Sequence, residues 1–223
     1  MTTASAAEIN ASVWQGLYAA GRNDLRYPNE QLVRLFARYF SGQQGMRVLD
    51  FGFGTGANVA HIAALGHEVH GVEVSSAALQ RAHERLAAAG LPAQLELVAP
   101  GAPLPYPTQH FDVVVAWQVL YYNDVAGWTA TVRELERVTR PGGRILVATA
   151  APGDISQVQA EPLGAGVYRS QVPGQEGCIV TIPGEADLAR LFPQRSLELG
   201  EFGHTFAGVR SHHWIITYGL PSP

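Results

Sequence analysis

The chain has 223 residues, 47% of them apolar and only 15% charged, with 24 glycines, 14 prolines and a net charge of −4. This is enough apolar material for one core and a chain rich in turns, and it excludes the basic face that nucleic acid or an anionic membrane would need. All 15 basic residues are arginine, so a Schiff-base lysine and a lysine-dependent phosphate loop are excluded, and the single cysteine, Cys178, excludes a disulfide framework or a cysteine-rich zinc site.

Met1 to Ser12 has no basic stretch followed by an apolar core, and no segment approaches the ~18 apolar residues of a membrane span, so a soluble cytoplasmic protein is expected. Two helices are predicted before residue 42, from Val13, Trp14, Leu17 and Tyr18 and then from Leu32, Leu35, Phe36, Tyr39 and Phe40. Tyr27-Pro28 breaks the chain between them, and Asn29 can cap the second. Strands and helices then alternate: a strand over Arg47–Phe51, a helix over Ala57–Ala64, a strand over Glu68–Val74, a helix over Ser76–Ala89 and a strand over Gln94–Val98. Four prolines at 100, 103, 105 and 107 exclude a central strand or helix there. Phe111–Ala116 carries the continuous apolar run of a strand covered on both faces. A helix over Trp128–Thr139, a turn at Arg140–Gly143 and a strand over Arg144–Thr149 follow.

After residue 150 the pattern becomes irregular. Ala151–Gly177 is rich in Gly, Pro and Gln, one helix is expected near Glu185–Leu191, and Leu197–Phe202 with His212–Tyr218 forms an antiparallel pair. The expected architecture is α/β: a doubly wound, mostly parallel seven-stranded sheet with helices on both faces and a C-terminal hairpin. We expect a single domain over residues 1–223, with lid helices over 1–42, a cofactor-binding core over 43–150 and a substrate lid with the last strands over 151–223.

The strongest signal is Asp50-Phe51-Gly52-Phe53-Gly54-Thr55-Gly56, a strand end, glycine turn and helix start whose backbone amides a ligand can approach. Glu73 follows 21 residues after Gly52, at the end of the second strand, where a carboxylate can accept both hydroxyls of a ribose. Gly52, Gly54 and Ala57 also satisfy the looser dinucleotide pattern. Asp50 argues for a different ligand, because a carboxylate there meets a cationic amine but repels a pyrophosphate. The third glycine at Gly56 and the two helices preceding the first strand point the same way.

The order of motifs resembles the class I S-adenosylmethionine (SAM)-dependent methyltransferases across residues 27–150. The resemblance rests on the loop at 50–56, Gly71-Val72-Glu73-Val74-Ser75, Leu104-Pro105-Tyr106 leading to Phe111-Asp112-Val113-Val114, and Arg137-Val138-Thr139-Arg140-Pro141-Gly142-Gly143. It implies that Asp50 and Gly52 hold the methionine end of SAM, that Glu73 binds the ribose, that the ends of the third and fourth strands flank the adenine and the sulfonium, and that Phe51, Phe53, Gly54, Val74, Pro100, Gly101 and Ala102 complete the cofactor site. Two departures stand out: Phe53 replaces a small residue, and Ala99-Pro100-Gly101 stands where the family carries an adenine-contacting acid.

Methyl transfer requires an acceptor held in line with the sulfonium, and aromatic faces stabilise that cation. Trp117 and Gln118 are expected to flank the cofactor and Tyr121 or Tyr122 to face the acceptor, with Trp14, Tyr18 and Tyr27 in a lid above. Of the candidate bases His204, His212 and His213, the adjacent pair on one strand must point to opposite faces, and His204 is placed first because Gly203 and Gly208 suggest a loop around it. Tyr168, Arg169, Phe192 and Phe206 are candidate contacts of the substrate lid. No metal site is expected, since Asn123 and Asp124 come several residues after the fourth strand. The acceptor is expected to be a small molecule. A SAM-binding protein without catalysis and a nicotinamide-dependent oxidoreductase are the competing readings.

Overall fold

The computed structural model describes residues 4–193 and 195–221. Helix α1 (Ala6–Ala19) opens with a capping box in which the Ser5 hydroxyl accepts from the Glu8 amide and the Glu8 carboxylate accepts from the Ser5 amide. Asn29 caps α2 (Glu30–Phe40), as its position before the apolar repeat suggests, its side chain accepting from the Gln31 amide at 3.0 Å. There follow β1 (Arg47–Phe51), α3 (Ala57–Ala64), β2 (Glu68–Glu73), α4 (Ser76–Ala89), β3 (Gln94–Leu97), β4 (Phe111–Trp117), α5 (Val125–Val138) and β5 (Thr139–Ala150). The C-terminal part adds α6 (Ile155–Val158), β6 (Ala160–Gly164), β7 (Val167–Ser170), β8 (Ile179–Thr181), α7 (Glu185–Leu191), β9 (Glu198–Phe206) and β10 (Val209–Gly219).

Seven strands form one sheet in the order β3-β2-β1-β4-β5-β10-β9. The first five are parallel, and β10 runs antiparallel to both β5 and β9. The expected doubly wound sheet and terminal hairpin are both present. Strand order reverses between β1 and β4, and in such sheets the crevice beyond the carboxyl ends of those two strands is the natural ligand site.

Both faces of the sheet are covered, which is why β4 is apolar throughout. Val114 and Ala116 pack toward Trp128, Val132 and Leu135 of α5, while Val113 and Val115 pack toward Phe36, Val59 and Ile62 on the other face. Each fully buried Val contributes about 1.5–3 kcal/mol, so neither face tolerates the polar alternation of a one-sided strand.

Three local expectations are corrected. α5 starts at Val125 rather than Trp128, because Asp124 caps it by accepting from the Gly127 amide at 2.7 Å. The expected turn at Arg140–Gly143 is absorbed into β5, whose pairing with β4 shifts register between Phe111 and Val113. Gly143 fits this bulge because a Cβ there would lie 2.9 Å from the Asp112 carbonyl oxygen. The segment read as irregular contains a second sheet, β6-β7-β8, whose strands are three to five residues long and too short for periodicity to reveal.

Helix α1 is fastened across the carboxyl edge of the sheet by buried Asn10. Its amide donates to the carbonyls of Tyr122 (2.7 Å) and Ile179 (2.8 Å), and its carbonyl accepts from the Ile179 amide at 2.8 Å. One side chain thus joins the N-terminal helix, the segment after β4 and the small sheet. Among the described residues no helix is long and apolar enough to cross a membrane.

Candidate functional site

All three loop glycines take left-handed backbone conformations, with φ of 71° at Gly52, 55° at Gly54 and 79° at Gly56. Their surroundings differ. A Cβ on Gly56 would sit 2.9 Å from the Ala82 Cβ, so this residue lets α3 pack on α4. A Cβ on Gly52 would meet a Val119 methyl at 2.5 Å, and one on Gly54 would meet the Tyr18 hydroxyl at 2.8 Å. The segment after β4 and helix α1 therefore close directly over the loop.

Phe53, the first departure from the family pattern, is accommodated by another glycine. Its ring lies over Gly71 of β2, where a Cβ would come within 2.5 Å of the Phe53 Cδ1. The aromatic ring fills the space of the absent side chain and is itself buried.

Glu73 ends β2 with its carboxylate turned onto the loop. One oxygen accepts from the Gly54 amide at 2.9 Å, and the other accepts from Val74 (2.8 Å) and Ser75 (3.0 Å). Burial raises its pKa, opposed by these three amide bonds. The bonds fix the carboxylate at the mouth of the loop while leaving lone pairs free for hydroxyl donors.

Asp50 departs from its expected position. It is buried within β1, is absent from the cavity wall, and its Oδ2 has no hydrogen-bond partner. Burial, and secondarily the negative charge of Glu73, pushes its pKa up to about 7. Asp50 therefore lies behind the loop and not on the cavity wall.

The loop opens into a cavity of about 1340 Å³ at the carboxyl edge of β1, β2 and β4. Phe51, Gly52, Phe53 and Gly54 line it from the end of β1 and the loop after it, Glu73 and Val74 from the end of β2, Pro100, Gly101 and Ala102 from the segment after β3, and Trp117 and Gln118 from the end of β4. Tyr27 sits at the rim, 82% exposed. Every residue expected to meet the cofactor, Asp50 excepted, borders this one space. Its volume exceeds the roughly 300–1,000 Å³ of a pocket for one small ligand, which leaves room for two molecules side by side.

Tyr121 and Tyr122 line the cavity as expected. Their rings lie 4.3 Å apart, the Tyr121 hydroxyl donates to that of Tyr122 at 3.1 Å, and Tyr122 donates to Gln175 at 3.0 Å. Burial raises both phenol pKa values well above the ordinary tyrosine value, so neither side chain supplies a phenolate base at neutral pH. Trp14 packs edge-on against Tyr122 with centroids 5.0 Å apart, completing an aromatic wall.

The ordering of the histidines is corrected. His204 lies on exposed strand β9 opposite Ser211, and it borders a separate 280 Å³ depression instead of the large cavity. Gly203, taken as a loop marker, is a strand residue whose bare Cα admits the neighbouring Ser211 carbonyl. The alternation rule for the adjacent pair holds: His212 turns out to Glu201 and Pro152, while His213 turns into the large cavity. The substrate-lid candidates are also corrected, since none lines the cavity. Phe192 is core against Trp128 and Tyr218, Tyr168 bonds to Gln157, and Arg169 and Phe206 are exposed. The cavity residues from this half of the chain that sequence reasoning missed include Asp154, Ser156, Gln175 and Ser211. No motif marks them: Asp154 and Ser156 open the one-turn helix α6, Gln175 lies between β7 and β8, and Ser211 is on β10.

Residues 48–143 match the family model described as a methyltransferase domain. The chain is 36% identical over 116 residues to the malonyl-[acyl-carrier protein] O-methyltransferase of Erwinia pyrifoliae, covering 52% of this chain and 41% of that protein. It is 32% identical over 107 residues to a ubiquinone/menaquinone biosynthesis C-methyltransferase of Shewanella woodyi, covering 46% and 42%. The chain thus spans less than half the length of these curated relatives. Among solved structures, the 1,6-didemethyltoxoflavin-N1-methyltransferase of Burkholderia thailandensis with bound S-adenosylhomocysteine superposes with a TM-score of 0.68 at 16% identity, over 100% of this chain and 93% of that one. The matched core, the motifs in order and the superposable fold make the chain similar to the class I SAM-dependent methyltransferases.

Proposed function

We propose that this protein transfers a methyl group from SAM to O, N or C of a small molecule by in-line displacement. The observation that carries this reading is the meeting, in one cavity, of the Gly52–Gly54 loop and Glu73 with an aromatic wall of Trp14, Tyr121 and Tyr122.

The residues present fit SAM. The Glu73 carboxylate is prearranged by three amides to accept from a ribose, and the unpartnered buried oxygen of Asp50 favours a cation in front of the loop. Trp117 also lines the cavity, and its indole N–H is buried without a partner. When bound, SAM supplies an activated methyl on a sulfonium. The loop amides and Glu73 would fix the nucleoside and amino-acid ends, and Pro100–Ala102 would border the adenine with backbone and apolar atoms. Trp14 and the two tyrosines would orient the acceptor and exclude water. Such positioning is worth about 7–11 kcal/mol of a displacement barrier.

In this reading residues 1–223 form one domain. Residues 1–42 act as a lid, 43–150 as the cofactor-binding core and 151–223 as the acceptor side with the last strands, and the protein works in the cytoplasm without nucleic acid or membrane. Incubation with methyl-tritiated SAM and a small-molecule extract should move label into a low-mass product. Binding of SAM without label transfer in any extract would favour a non-catalytic SAM-binding protein.

A further inference from the structure

The far end of the cavity carries a histidine that the cofactor reading leaves unused. His213 is 5% exposed, on β10, opposite Ala150 of β5 and Phe202 of β9. Its ring stacks on Phe202 at 5.0 Å and stands edge-on to Tyr121 at 6.3 Å, so its plane is fixed. The Gln118 amide donates to Nε2 at 2.9 Å, which places the ring proton on Nδ1. Nδ1 has no short partner: Ser211 Oγ is at 3.4 Å and Asp154 Oδ2 at 4.0 Å.

Asp154 is buried and held by two backbone amides, Ser156 to Oδ1 and His212 to Oδ2, each at 2.8 Å. It is therefore a fixed charge beside a fixed imidazole. His213, Asp154, Gln118, Ser211 and Tyr121 all border the cavity. Gln118 itself has φ of 56°, a left-handed conformation unusual outside glycine and concentrated at functional positions.

The charge of the walls narrows the acceptor. Among the described residues Arg133 is the single arginine or lysine lining the cavity, against Glu30, Glu73, Asp124, Glu134 and Asp154. A carboxylate or phosphate acceptor would meet repulsion, whereas an uncharged ring suits Trp14 and the two tyrosines.

Resting on the methyltransferase reading, we propose that His213, with the Asp154 carboxylate beside it, is the general base of the transfer and that the acceptor is an uncharged aromatic compound bearing an acidic hydroxyl. The hydroxyl replaces the Gln118 amide as donor to Nε2. As the O–CH3 bond forms, the O–H proton passes to Nε2 and the bond from methyl to the sulfonium of the donor breaks, its electron pair remaining on sulfur as a neutral thioether. The imidazolium so formed faces the Asp154 carboxylate. Burial holds His213 below the ordinary histidine pKa, opposed by Asp154, so the base form predominates at neutral pH. The other titratable groups near it are Tyr121 on the cavity side, His212 turned to the opposite face of the strand, and His204 across the hairpin.

The test uses 4-nitrophenol, whose phenolate band reports its ionisation, with protein saturated in S-adenosylhomocysteine. At one pH unit below the free phenol's own pKa, the wild type should bind the probe and show the phenolate band. His213→Gln should lose about tenfold in the ratio of bound phenolate to bound phenol, one pKa unit, and Asp154→Asn should lose part of it. Calorimetric binding of S-adenosylhomocysteine by both variants serves as the folding control, since neither residue belongs to the cofactor set. A probe that fails to bind the loaded protein, or a phenolate band unchanged in His213→Gln, overturns the proposal. Failure of S-adenosylhomocysteine to bind the wild type instead overturns the methyltransferase reading on which it rests.

Discussion

Replacing Asp50 by asparagine should stabilise the protein at alkaline pH and do so far less at acidic pH. The side chain is 1% exposed, its Oδ2 has no partner, and its pKa is raised from 3.8 to about 7, mainly by burial and then by Glu73. A raised carboxylate pKa means that the folded chain holds the proton more tightly than the unfolded one. Between about pH 4 and pH 7 the folded state binds more protons, so this group's stabilising contribution is lost as pH rises through the folded pKa. At 1.36 kcal/mol per pH unit, the interval from 3.8 to about 7 is worth on the order of 4 kcal/mol. The amide introduced by Asp50→Asn carries no charge, so its own cost is the same at every pH. Urea unfolding of both proteins at pH 5 and pH 8 checks this, because the other carboxylates cancel in the difference. The stability gap should move in favour of Asp50→Asn by about 2 kcal/mol or more, half that interval, on going to pH 8. A gap independent of pH would refute the claim that an uncompensated carboxylate lies behind the loop. The same variant should bind a cationic ligand less tightly, since the charge that costs stability also attracts the cation.

Asn10→Ala leaves two carbonyls and one amide unpaired in a buried place, and at about 1–3 kcal/mol per group it should cost at least ~3 kcal/mol in urea unfolding; a loss under ~1 kcal/mol would mean that α1 is not fastened there. Gly71→Ala puts a Cβ within 2.5 Å of Phe53 and 2.8 Å of Leu95, and should lower stability by about 1–3 kcal/mol. Adding Phe53→Leu should return part of that loss in thermal unfolding, and no recovery would contradict the pairing of Phe53 with Gly71. Glu73→Ala should weaken S-adenosylhomocysteine by about 1.5–3 kcal/mol, roughly 10- to 150-fold; unchanged affinity by calorimetry would make Glu73 a loop brace only.

The core of the fold was readable because its signals are local and periodic. A both-faces-apolar run such as Phe111–Ala116 has few structural solutions, and glycine turns with caps such as Asn29 mark where elements begin. The loop side of the cavity was readable for the same reason: Gly52, Gly54 and Glu73 lie at strand ends in a fixed order and border one space. Asp50 was misplaced because its position in sequence, two residues before Gly52, does not reveal that β1 points it into the sheet layer rather than the cavity. The acceptor side was poorly readable. β6, β7 and β8 are too short to show a period, and Asp154, Gln175 and Ser211 reach the cavity only through long-range pairing. For the histidines, strand alternation separated His212 from His213, but choosing between His213 and His204 required knowing which side of the hairpin faces β5.

The direct test of the central claim is titration calorimetry with S-adenosylhomocysteine, using NADH as the control. The account predicts one site per chain with micromolar affinity for S-adenosylhomocysteine, weakened in Glu73→Ala, and no heat from NADH. Binding of NADH, or no binding of S-adenosylhomocysteine by folded protein, would contradict it.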